Sequence, residues 1–128
     1  MILDTSAIVA IMLREPGHEA LQAKLASAAA VGVGAPTLVE TAIVLSARLS
    51  MDAGGLLARF LQETSALVVP FGEAHYAAAH RAWMRLGKGR HPAGLNLGDC
   101  ATYATALLAQ EPLLCTGDDF PRTDLDLA

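Results

Sequence analysis

Apolar positions along the chain fall in short runs separated by longer amphipathic stretches. Residues 1–4 begin with Met1-Ile2-Leu3, an apolar run that reads as a strand. It stops at Asp4-Thr5-Ser6, three residues that favour helix N-caps. A short helix over 6–13 follows and breaks at Pro16-Gly17. Alanine-rich residues 18–30 predict a second helix, and Val31-Gly32-Val33-Gly34 a short strand. Pro36 and Thr37 open a long helix over 37–50, with Leu38, Val39, Ala42, Ile43, Leu45 and Leu49 as its expected apolar face. Gly54-Gly55 is read as a break before a helix over 56–64, and Leu67-Val68-Val69 as a strand ended by Pro70-Phe71-Gly72. Residues 73–86 predict a helix carrying Tyr76, Trp83 and Leu86, and the glycines and proline of 87–97 predict a loop. Asn96 is suited to cap a helix over 98–109; Leu113-Leu114-Cys115 is the last predicted strand, and the chain turns off its end at Thr116–Phe120.

Short apolar strands alternating with helices predict an α/β fold with a mostly parallel sheet flanked by helices. No repeat, low-complexity tract or linker divides the 128 residues, so one domain over 1–128 is expected. The 53 % apolar content excludes intrinsic disorder. No apolar run reaches the roughly 18 residues of a membrane span. The acid at position 4 argues against a signal peptide, so a cytoplasmic location is expected. Cys100 and Cys115 lie in apolar surroundings without metal-finger spacing and are read as reduced core thiols.

A net charge of −4 argues at first against a nucleic-acid partner. Its distribution changes that picture. Setting Asp4, Glu40, Asp99, Asp118 and Asp119 apart from the 13 acids leaves eight acids against nine bases. Arg81, Arg85, Lys88 and Arg90 fall close together, with His80 and His91 beside them. Such a run is either a solvated helix face or a phosphate-contacting patch; Arg85, Lys88 and Arg90 are the candidate nucleic-acid contacts.

The five acids carry the candidate chemistry. In an open parallel sheet, ligands bind beyond the carboxyl ends of the strands. Asp4 follows the first strand and Asp118-Asp119 follow the last, while Glu40 and Asp99 lie in the first turns of two helices expected to start at that edge. Each acid also has a purely structural reading. Asp4 could cap its helix, and Thr37-x-x-Glu40 fits a capping box. Asp99 suits a helix N-terminus, and Asp118-Asp119 a turn. Their joint placement weighs against those readings, because crowded carboxylates repel and raise each other's pKa unless a cation neutralises them. All five are oxygen donors, which suits Mg²⁺, with Mn²⁺ possible. Such a cation activates water and offsets charge on a phosphodiester.

The residues that carry this pattern resemble a known family. Ile2-Leu3-Asp4-Thr5-Ser6-Ala7, Pro36-Thr37-Leu38-Val39-Glu40, the stretch from Gly87-Lys88-Gly89-Arg90-His91 to Leu95-Asn96-Leu97-Gly98-Asp99-Cys100, and Leu113–Phe120 together resemble PIN domains. Among those they look most like the VapC toxins of VapBC toxin–antitoxin pairs. The resemblance implies a three-layer α/β/α fold and Mg²⁺- or Mn²⁺-dependent endonucleolytic cleavage of RNA, inhibiting translation. It implies Asp4, Glu40 and Asp99 as the first three site acids, with Asp118 or Asp119 as the fourth. Thr5, Ser6 and Thr116 are the implied supporting residues. Because the sequence ends at Ala128 soon after the last motif, no longer tail is expected.

The resemblance also implies a VapB-type antitoxin covering the acidic pocket. A segment carrying arginine would suit it, since guanidinium pairs bidentately with carboxylates. A homodimer is expected as well, with Phe60, Leu61, Trp83 and Met84 as candidate surface and core burial as their alternative. Competing readings are a DNA nuclease, a degenerate PIN domain that only binds RNA, and a receiver domain. The last needs an acceptor aspartate after its central strand and a lysine after its last. Neither Pro70-Phe71 nor the segment after Cys115 supplies them. No GxGxxG motif, phosphate loop or Ser-His-Asp set is legible.

Overall fold

The computed structural model describes all of residues 1–128. Four short parallel strands form the sheet: β1 (Ile2–Leu3), β2 (Gly32–Gly34), β3 (Leu67–Val69) and β4 (Leu113–Leu114), in the order β3-β2-β1-β4. Six helices surround it: α1 (Thr5–Met12), α2 (His18–Ala26), α3 (Ala35–Leu49), α4 (Gly54–Thr64), α5 (Glu73–Leu86) and α6 (Leu97–Ala109). A 3₁₀ turn at Phe120–Arg122 follows β4. This is the expected three-layer α/β/α architecture. No helix is long and apolar enough to cross a membrane.

Strand alternation divides the core. Ile2 pairs with Leu113, and Leu3 with Leu114. Ile2 and Leu113 pack with Leu86, Leu95, Tyr103 and Phe120 on the α5–α6 side. Leu3 and Leu114 pack with Ile8, Leu25, Val33, Leu45 and Leu57 on the α1–α4 side. Successive side chains point to opposite faces, so a two-residue strand buried on both faces must be wholly apolar. Each such side chain contributes roughly 1.5–3 kcal/mol on burial. On the α6 side, Gly34 lets the helix approach closely: a Cβ there would stand 2.7 Å from the Thr105 hydroxyl oxygen.

Several local expectations are corrected. α2 stops at Ala26, not at residue 30: Ser27 closes the helix, and the Met1 amine takes the Ala30 carbonyl at 3.0 Å as the chain enters β2. α3 begins at Ala35 with Gly34 as N-cap, so Thr37 lies inside the first turn and the Thr37–Glu40 capping box does not form. Proline, which lacks an N–H that the first turn could not pair anyway, favours this earlier start. The buried positions of α3 are Thr37, Thr41 and Leu45, whereas Val39 and Ile43 are 62 % and 64 % exposed. Gly54-Gly55 opens α4 rather than breaking the chain, with Asp52 Oδ1 accepting from the Gly54 N–H. The α6 capping box does form: Asn96 Oδ1 accepts from the Asp99 N–H at 2.9 Å, and Asp99 Oδ2 from the Asn96 N–H at 3.1 Å.

Candidate active site

The carboxyl ends of β1 and β4 lie side by side, since the Asp4 N–H donates to the Leu114 carbonyl at 3.0 Å. α3 starts directly from the end of β2 at the same edge. α6 reaches this edge differently from the sequence expectation: it follows the loop after α5 rather than a strand, and then leads into β4. Asp4, Glu40, Asp99 and Asp119 therefore line one pocket of about 310 Å³, together with Thr5, Ser6, Thr116, Glu15 and Arg48. Asp118 does not line it and is exposed in the turn.

Asp4 is held on both oxygens. Its Oδ2 accepts from the Ser6 N–H at 3.0 Å and the Ser6 hydroxyl at 2.6 Å, and its Oδ1 accepts from the Thr102 hydroxyl at 3.1 Å. Ser6 Oγ in turn accepts from the Thr116 N–H at 3.0 Å, which fastens the segment after β4 to the start of α1. Ser6 thus touches Asp4 directly and Thr116 acts through its backbone. The Thr5 hydroxyl instead meets Thr41 Oγ1 at 3.0 Å and the Thr37 carbonyl at 3.3 Å. Glu40 rests against Gly98, where any Cβ would collide with its Oε2.

The electrostatics follow from this packing. Asp99 is pushed from 3.8 up to about 6, first by burial and then by Asp4, Asp119 and Glu40, against the lowering effect of its bond from Asn96. Burial and the Asp4 charge also raise Glu40, with the Thr5 hydroxyl opposing them. Cys100 and Cys115 are free and pushed up to about 11, mainly by burial, so neither supplies a thiolate near neutral pH.

The basic run lies outside this pocket. Arg85 is ion-paired to Asp124 at 3.1 Å, and Arg90 stacks 4.7 Å over the Trp83 ring. Lys88 is exposed. The one base lining the pocket is Arg48, bound to Glu15 at 2.6 Å; sequence reasoning missed both. The signal that could have found Arg48 is the i, i+4, i+8 row Glu40, Val44, Arg48 along α3, all three of which line the pocket. A second depression of about 800 Å³, mostly apolar, adjoins the first through Glu40 and Val44. It is walled by Val39, Ile43, Tyr76, Trp83 and Leu97.

Four acids gathered at the carboxyl edge of a parallel sheet, inside a three-layer fold, define a class. Residues 1–125 match the PIN domain family. The chain is 49 % identical over 127 residues to ribonuclease VapC36 of Mycobacterium tuberculosis, covering 98 % of this chain and 91 % of the relative. It belongs to the PIN-domain family and, within it, to the VapC ribonucleases. Its fold is similar to that of VapC20 of Mycobacterium tuberculosis, described as a sarcin–ricin loop cleaving toxin, with a TM-score of 0.80 at 18 % identity over 99 % of this chain and 97 % of that one. A toxin–antitoxin complex from Klebsiella pneumoniae contains another similar fold, with a TM-score of 0.70 at 18 % identity over 99 % and 95 % of the two chains.

Proposed function

We propose that this chain, acting as one domain in the cytoplasm, is the toxin of a toxin–antitoxin pair and hydrolyses RNA phosphodiester bonds with Mg²⁺ or Mn²⁺ held by Asp4, Glu40, Asp99 and Asp119. The observation that carries the reading is the convergence of those four carboxylates, from β1, α3, α6 and the turn after β4, on one pocket. The donor set is all oxygen. Such a set suits a hard divalent cation that keeps several waters beside its carboxylate ligands. When bound, the ion would offset the phosphodiester's charge and acidify an adjacent water.

The chain's own residues supply the rest. Ser6 and the Thr116 backbone hold Asp4 in place. Glu40, more basic than an ordinary glutamate because of burial and Asp4, is suited to take a proton from the attacking water. The water oxygen bonds to phosphorus, one phosphorus–oxygen ester bond breaks, and the departing oxygen takes up a proton from solvent. That the similar VapC proteins are named ribonucleases supports RNA as the substrate. The test is cleavage of a labelled RNA beside its DNA counterpart. RNA alone should be cut, and EDTA or Asp4→Asn should abolish cutting. Persistent cleavage by Asp4→Asn in EDTA would reject the assignment.

The Klebsiella complex supports a cognate antitoxin as partner. An arginine-bearing antitoxin segment suits the acidic pocket and should compete with Mg²⁺ for it. The apolar depression favours a homodimer. Val39, Ile43, Tyr76 and Trp83 stay exposed there, whereas Phe60 and Leu61 pack partly against the α1–α4 core.

A further inference from the structure

α6 contributes two side chains to the surroundings of the pocket. Asp99 lies in its first turn, and Thr102 follows one turn later on the same side. Thr102 is 1 % exposed, and its hydroxyl donates to Asp4 Oδ1 at 3.1 Å across 98 residues of sequence. Its oxygen stands 2.9 Å from the hydroxyl oxygen of Thr37, itself 2 % exposed. A hydroxyl has a single proton. Thr102 commits its proton to Asp4, so the proton between the two threonines comes from Thr37. The bonds run one way, from Thr37 on α3 through Thr102 on α6 to Asp4 at the end of β1.

Two other buried helical threonines bond locally. Thr41 and Thr105 each donate to the carbonyl four residues back, at 2.7 and 2.9 Å. That local bond is the ordinary way to satisfy such a hydroxyl. Thr102 reaches the carboxylate instead. An ionised carboxylate offers about four acceptor positions. On Asp4, Ser6 fills both positions of Oδ2 and Thr102 fills one on Oδ1. The position that remains is on Oδ1.

We infer that Thr102 is a positioning residue for the cation: oriented by Thr37, its hydroxyl holds the Asp4 carboxylate so that one Oδ1 acceptor position is left for a divalent ion. It also ties that orientation to the helix that carries Asp99. The inference rests on the metal-site reading above.

The test is Mn²⁺ titration of the metal-free full chain, with free Mn²⁺ followed by electron paramagnetic resonance and melting followed by circular dichroism. Asp4→Asn should lose binding. Thr102→Val, which keeps the volume and removes the donor, should weaken Mn²⁺ binding about tenfold or more, while Thr102→Ser should stay within about threefold of the parent. A packing role predicts the opposite order, because serine loses the buried methyl group and valine keeps it. Stability should therefore suffer in serine and affinity in valine. Should Thr102→Val not fold, the Thr37→Val/Thr102→Val variant, which leaves no orphaned hydroxyl, carries the same comparison. Parent-like Mn²⁺ affinity without the Thr102 hydroxyl, beside loss in Asp4→Asn, overturns the role of Thr102 and leaves the metal pocket standing. Unchanged affinity in both overturns both.

Discussion

Replacing Asp99 by asparagine should stop cleavage and at the same time stabilise the metal-free protein. The carboxyl is raised from 3.8 to about 6. That rise corresponds to about 3 kcal/mol against the ionised form. Water reaches part of this side chain, and the resulting screening reduces the figure to about 1–2 kcal/mol. The amide substitute keeps an oxygen that can accept from the Asn96 N–H, so the α6 cap survives. The pKa is higher in the folded than in the unfolded chain. The stability contributed by the protonated group is therefore complete below pH 3.8, is lost as pH rises towards 6, and is absent at neutrality. At pH 7 the variant should melt higher than the parent by roughly 3–8 °C, given the size of the domain. The gap should close as pH falls to 4. Added Mg²⁺ should stabilise the parent alone, by about 1.4 kcal/mol at ten times its dissociation constant. Calorimetry of both proteins at pH 4, 5, 6 and 7, with EDTA and then with Mg²⁺, makes the measurement. An asparagine variant that melts lower at pH 7, or a gap indifferent to pH, would refute the reasoning.

Gly98→Ala should lose most activity while the chain still folds, because the added Cβ displaces the Glu40 carboxylate; assay beside circular dichroism checks it. Charge removal at Arg85, Lys88 and Arg90 together should flatten the salt dependence of RNA binding, by about 0.7 in log–log slope for each phosphate no longer neutralised. Arg85 is expected to contribute least, being paired to Asp124, and an unchanged slope would assign the run to a solvated face. Ile43→Glu should dissociate the proposed homodimer in light scattering, and a parent that is monomeric at every concentration would reject that interface.

How far the sequence was legible depended on how local each determinant is. Asp4 and Asp99 could be found because each combines an element boundary with a carboxylate: Asp4 ends an apolar strand, and Asp99 pairs with the Asn96 cap. Glu40 was found as well, but its capping alternative fell only when Gly34 proved to start α3, a choice settled by β2 running straight into the helix. Asp118 and Asp119 could not be separated in advance. The turn's course through Gly117, at φ +84°, leads one carboxylate to the pocket and the other to solvent. Thr37 reads as a helix cap and Thr102 carries no signal, because a polar/apolar reading assigns threonine to the surface, whereas here hydroxyls satisfy one another inside the core. Val39 and Ile43 failed for the converse reason: the face they share is apolar without being buried by this chain.

The order of the strands bears on how the molecule comes into being. β1 sits in the middle of the sheet but is made first, and its neighbour β4 is made almost last. Asp4 and Asp119 are 115 positions apart (119 − 4), and only pairing of β1 with β4 brings them to the same edge. At ordinary translation rates, roughly 6–23 s pass between their syntheses. During that time Asp4 lacks both the Leu114 partner of its backbone and the fourth acid of its pocket. On this topology the four-acid pocket is complete only once the last strand has docked beside the first.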